Sequence, residues 1–161
     1  MTSMVETGIY IAVIAILIWA AATDLKDRRI PNIQPLLVLA LFGLLAVWRL
    51  QAGDTFTAAA GGPIVAGMLV FGFCIVLFAF KFMGGGDVKL MATVALIAGP
   101  TLSASFLLFV AVAGGLVALV TLIHARLKPL ISAGPPKVPY GVAIMAGGMW
   151  VCLQKVSASS A

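Results

Sequence analysis

Six long apolar runs, separated by short polar connections, constrain this chain more than any other feature. They lie at about residues 7–23, 33–50, 59–80, 88–98, 102–124 and 138–153. A helix that crosses lipid takes about 20 mostly apolar residues and satisfies its own backbone hydrogen bonds there. The chain has 161 residues, 63% of them hydrophobic and 9% charged, whereas about a quarter of a soluble domain is charged. The expectation is an all-α integral membrane protein: a bundle of about six transmembrane helices, forming a single domain over residues 1–161. The fourth run is too short to cross alone unless its helix starts before Val88 or the bilayer thins around it. Glu6 precedes the first run and no basic stretch does, so that run reads as a retained helix, not a signal peptide.

The connections differ in charge. The first, third and fifth carry Lys26, Arg28, Arg29, Lys81, Lys89, Arg126, Lys128 and Lys137; the second and the C-terminal tail carry only Arg49 and Lys155. Basic loops stay in the cytoplasm, which puts both termini on the outer side. The net charge of +5 is accounted for in this way, and no nucleic-acid partner is expected. Pro135, Pro136 and Pro139 stiffen the fifth connection. The tail "SASSA" reads as disordered.

Five acidic residues occur: Glu6, Asp24, Asp27, Asp54 and Asp87. Glu6 and Asp54 fall in outer segments and read as solvated. Asp24 ends the first apolar run and Asp87 begins the fourth, so the topology brings both to one membrane face. Carboxylates at such depth are costly and face a bundle interior or a watery cavity. Two that approach closely cannot both ionise comfortably, which yields a paired acid and base. Such a pair can activate water against a peptide carbonyl. Asp27 lies three residues beyond Asp24, beside Arg28 and Arg29, and suits a surface ion pair; Asp24, next to the apolar run, is the better candidate.

Asp87 follows three glycines in "KFMGGGDVKLMA". Gly84, Gly85 and Gly86 let the backbone turn without a Cβ and let a second chain come close. A peptide laid beside the carboxylates as an extended strand needs that access. The plainer reading is a flexible loop, with Asp87 capping the next helix. The single histidine, His124, belongs to a basic interfacial stretch, and Cys74 and Cys152 sit inside apolar runs without a C-x-x-C pair. No metal site is indicated, and with no P-loop, Rossmann or haem signature no bound cofactor is expected.

"GGGD" at Gly84–Asp87 is a G-x-G-D motif, "DLKDRRIPN" from Asp24 fits D-x-x-x-x-x-I-P-N, and "VPYGVAIMAGG" from Val138 contains P-[FY]-G. In this order the three resemble the type IV prepilin peptidases, in particular the short members that serve Tad/Flp pili. The resemblance implies a G-x-G-D aspartic endopeptidase of the bacterial inner membrane. Its partners would be prepilins or pseudopilins and the lipid bilayer, and it would remove a short basic leader at the cytoplasmic face. It implies Asp24 and Asp87 as the catalytic pair, with Gly84 and Gly86 shaping the loop. Pro139, Tyr140 and Gly141 lie in the matching final segment, and Lys89 stands close enough to tune Asp87 or bind a backbone oxygen. Larger members carry an extra cytoplasmic region with paired C-x-x-C motifs and methylate the new terminus. The first loop here has no cysteine, so methyltransferase activity is not expected.

A cation or proton transporter built on the Asp pair is the alternative. Such sites lie near the midplane, on helices broken there, so the depth of the two acids separates the readings. A presenilin-like protease would require a Y-D segment where this chain has "ATD". The oligomeric state, and the division of acid and base roles between the aspartates, are not written in the sequence.

Overall fold

The structure is a computed structural model that describes residues 2–127 and 140–160. These residues are helical throughout, apart from short connections. Five helices are long and apolar enough to cross a membrane. We label them α1 (Thr2–Asp27), α2 (Ile33–Gln51), α3 (Gly62–Ala79, entered through a π-helical turn at Thr57–Gly61), α4 (Gly85–Leu127) and α5 (Tyr140–Ser160). Large apolar side chains cover the outside: Met68, Leu69, Leu108 and Val120 are all more than 60% exposed. In water such a surface would aggregate; in lipid it is the solvated face.

About six spanning helices are expected from the sequence, and five continuous ones are observed among the described residues. The difference lies in α4, which holds both the fourth and the fifth apolar runs. It is interrupted at Gly99, whose φ of 68° and ψ of −177° break the helical path, and Pro100 removes the next amide donor. A residue with a side chain rarely takes that φ. Ser103 repairs part of the damage by donating to the carbonyl of Gly99 at 2.6 Å. The two arms, residues 85–98 and 100–127, run back alongside each other. Asp87 in the first and Gly114 in the second both lie towards the N-terminal end of α5, whereas Pro100 packs on Gly62 at the entry to α3. The short fourth run becomes helical from Gly85, three residues ahead of Val88.

Inside the bundle α1 packs along α5, and α4 touches α2, α3 and α5. Tyr10, Leu17, Val94, Phe106 and Ile144 are fully buried between them. Two expectations are corrected. The tail is helical through Ser160 rather than disordered, because α5 continues in register past the apolar run. Glu6 is not simply solvated: its carboxylate pairs with Arg49 at 3.0 Å, and Arg49 also donates to the Tyr10 hydroxyl at 3.0 Å. Pro139, Lys128 and Lys137 lie outside the described residues.

Candidate active site

Asp24 stands one turn before the end of α1. The helix stops at Arg28, whose N–H closes onto the Asp24 carbonyl at 3.0 Å. Arg28 takes a left-handed φ of 52°, an uncommon conformation for a residue with a Cβ. Ile30 and Pro31 then lead the chain across to α2. On the other side, the turn after α3 holds Lys81 at a φ of 62°, and Gly84 begins the turn into α4. These two connections face one another, and the cavity between them measures about 520 Å³. Asp24, Arg28, Arg29, Asn32 and Asp87 line it, together with the three glycines.

Each carboxylate is held by a backbone amide at a helix N-terminus, where the first N–H groups have no partner within the helix. Asp24 is buried, and its Oδ2 accepts the N–H of Gly141, in the first turn of α5, at 2.7 Å. Asp87 reaches back within its own helix, and its Oδ2 accepts the Gly84 N–H at 3.1 Å, one half of a capping box. The other oxygen, Asp87 Oδ1, is buried with no hydrogen-bond partner among the described residues. A buried polar atom without a partner is costly, and among the described residues Gln34 Oε1 and Trp48 Nε1 share that condition. No Cα of α1 comes within 8 Å of one in α4. The two carboxylates thus line one cavity from helices that do not pack on each other, close enough for charge on Asp24 to bear on Asp87. Asp27, by contrast, is exposed and does not line the cavity.

The three glycines are not equivalent. A Cβ on Gly86 would stand 2.8 Å from the Ile30 carbonyl oxygen, and one on Gly84 would stand 2.8 Å from Asp87 Oδ2. One on Gly85 would meet only Phe78, at an ordinary 3.5 Å. So Gly84 and Gly86 permit close approach and Gly85 does not need to be glycine. Gly141 is the tightest of the group: a Cβ there would lie 2.7 Å from that of Asp24.

Lys89 donates to the side chain of Asn32 at 3.0 Å. It ties α4 to the start of α2, and the bond goes to this amide oxygen and not to Asp87. Asn32 forgoes the usual capping role to accept it. Tyr140 packs beside Gly114 and does not line the aspartate cavity. Pro139 lies outside the described residues. Sequence reasoning overlooked Gln34, which is fully buried and donates to Thr23, the neighbour of Asp24, at 3.2 Å. A glutamine at the head of an apolar run was the available signal. It likewise assigned no role to Asn32 or to the Gly141 amide, whose contacts join residues 57 and 117 positions apart.

The arrangement suits general acid–base chemistry on a group that enters between two carboxyls. Comparison with curated proteins gave no match, and comparison with solved structures gave none either. A family model does match, over residues 11–119, a stretch containing both aspartates and the glycine turn. It covers more than half of the chain, which therefore belongs to the type IV leader peptidase family.

Proposed function

We propose that this protein is an aspartic endopeptidase of the bacterial inner membrane that removes the short basic leader from type IV prepilins of the Flp kind, at the cytoplasmic face. The observation that carries the reading is the meeting of Asp24 and Asp87, from helices far apart in sequence, at one cavity in a member of this family. In this reading both arms of α4 cross the bilayer, giving six crossings with both termini outside, and the basic connections lie in the cytoplasm.

One carboxylate is ionised and the other holds a proton. The ionised one takes a proton from water, and the resulting hydroxide attacks the scissile carbonyl carbon. The protonated one donates to the carbonyl oxygen as charge develops there. Collapse of the tetrahedral intermediate breaks the C–N bond; the proton taken from water passes to the leaving amine, and the hydroxyl proton released as the C=O re-forms returns to the other carboxylate. A leader carboxylate and a new N-terminus are released, and the pair again shares one proton. The Gly141 and Gly84 amides keep the carboxyls in place throughout.

The transporter alternative gains no support from depth. Asp24 lies three residues from the end of α1 and Asp87 lies in the first turn of α4, while the broken helix at Gly99 is at the other end of the bundle.

The test is cleavage of a Flp-type prepilin in reconstituted vesicles by wild type, Asp24→Asn, Asp27→Asn and Asp87→Asn. Loss of cleavage by about 10³-fold is expected for Asp24→Asn and Asp87→Asn, with Asp27→Asn active. Cleavage retained in both Asp24→Asn and Asp87→Asn would sink the proposal.

A further inference from the structure

A lipid-facing groove runs beside the aspartate cavity, between α3 and the second arm of α4. At the far end of the bundle it holds about 840 Å³ between Thr57, Val65 and Pro100. It continues, sharing Phe73 and Leu107, into a further 600 Å³ that reaches Met83 and Tyr140. Its wall on the α3 side is as long as the candidate span Thr57–Ala79, 23 residues, or about 35 Å of helix. That matches the roughly 30 Å thickness of a bilayer core.

Three properties of the groove select its occupant. It is almost wholly apolar, and runs the length of a spanning helix rather than ending in a short pocket. On the α4 side it presents Ala111, Gly114, Gly115 and Ala118, small residues at the spacing of one helix face, which let another helix come close. It ends beside the chemistry: Met83 precedes Gly84 and Tyr140 precedes Gly141, the two residues whose amides hold Asp87 and Asp24. A lipid chain would have no reason to end at those amides.

We propose that this groove seats the membrane-spanning apolar helix of the substrate itself, and so delivers the peptide bond at the helix's end to the aspartates. The proposal rests on the peptidase reading above. It adds that specificity resides largely in the membrane: an apolar helix docks alongside α4, and the flanking peptide unwinds into the cavity. Binding energy gained far from the cut bond then positions that bond.

Two glycines supply a matched test. Gly115 lies in the groove and Gly43 lies on α2 outside it, and at both positions a Cβ would meet nothing within 4 Å. Leucine is a better helix former than glycine, so neither variant is expected to unfold. Each enzyme is given two substrates: a Flp-type prepilin with its apolar helix, and a peptide of the leader and a few following residues without it. The readout is the ratio of kcat/KM for the first over the second. Gly115→Leu is expected to lower that ratio at least about tenfold by filling the groove, and Gly43→Leu to leave it unchanged. An unchanged ratio in Gly115→Leu, with wild type active, overturns the groove and leaves the peptidase reading standing. No cleavage of either substrate by wild type overturns both.

A cross-link gives an independent answer. Cys74 and Cys152 are buried and Leu108 is 65% exposed in the groove. With copper phenanthroline as oxidant, Leu108→Cys is expected to form a disulfide with a cysteine placed in the substrate's helix. A disulfide formed instead between two copies of the enzyme, with substrate present, would make this a self-association face and overturn the proposal.

Discussion

The two ends of the bundle treat charge in opposite ways. At the end remote from the aspartates, Glu6 and Arg49 pair through two contacts of 3.0 and 3.4 Å, and the Tyr10 hydroxyl takes a further guanidinium hydrogen bond. Opposite charges answer one another there, and the cluster clamps α1 to α2. At the other end, two carboxylates of like charge face a shared cavity, and one buried oxygen has no partner among the described residues. Arg28 and Arg29 line the same cavity, and paired carboxyls of this kind cluster at functional sites. The first cluster suits stability; in the peptidase reading proposed above, the second serves reactivity.

That contrast is open to direct attack. The largest effect should come from removing charge at each end in turn. Asp87→Asn is expected to reduce prepilin cleavage about 10³-fold while the melting temperature holds or rises, because a neutral amide of the same shape replaces a buried carboxyl. Glu6→Gln should do the reverse, lowering the melting temperature with cleavage per folded molecule intact. A fall in stability for Asp87→Asn would show that the aspartate end is structural too.

Gly141→Ala comes next. Its methyl would press on the Asp24 side chain, and a misplacement of about 1 Å is worth about 10² in rate. Single-turnover cleavage in vesicles reads it. The glycine turn gives a sharper internal control. Gly86→Ala should lose about tenfold or more by pushing away Ile30, whereas Gly85→Ala should stay within about twofold, since only ordinary contact awaits it. Equal losses at both positions would mean that flexibility matters there rather than close packing.

Arg49→Ala should cost about 2 kcal/mol of stability, since it strands Glu6 and Tyr10, as read by thermal unfolding in detergent. The smallest effect should be at Lys89. Lys89→Met removes one exposed hydrogen bond to Asn32, worth about 1 kcal/mol, and cleavage should fall by less than tenfold.

Much of this molecule is legible along the chain. Apolar runs of spanning length dictate helices, because lipid offers no other partner to the backbone. The break between the fourth and fifth runs is written as Gly99–Pro100, a pair that a helix cannot pass unbent. Asp24 and Asp87 stand out because acids are few and these two adjoin apolar runs. Asp24, next to the apolar run, is buried and Asp27, three residues on, is exposed. By contrast, Glu6 looks solvated on paper, and its partner Arg49 is 43 residues away. The tail looks disordered by composition, yet it continues the helix that precedes it.

What the sequence by itself determined was local: which segments are helical, where they break, and which few carboxylates the membrane must accommodate. Tertiary structure alone decided which backbone amides hold those carboxylates, which glycines are sterically required, and which helix faces part to leave a groove. Those are properties of distance between segments far apart in the chain. Hydropathy and motif spacing report each segment's own preference, and only packing sets the few ångströms between one segment and the next.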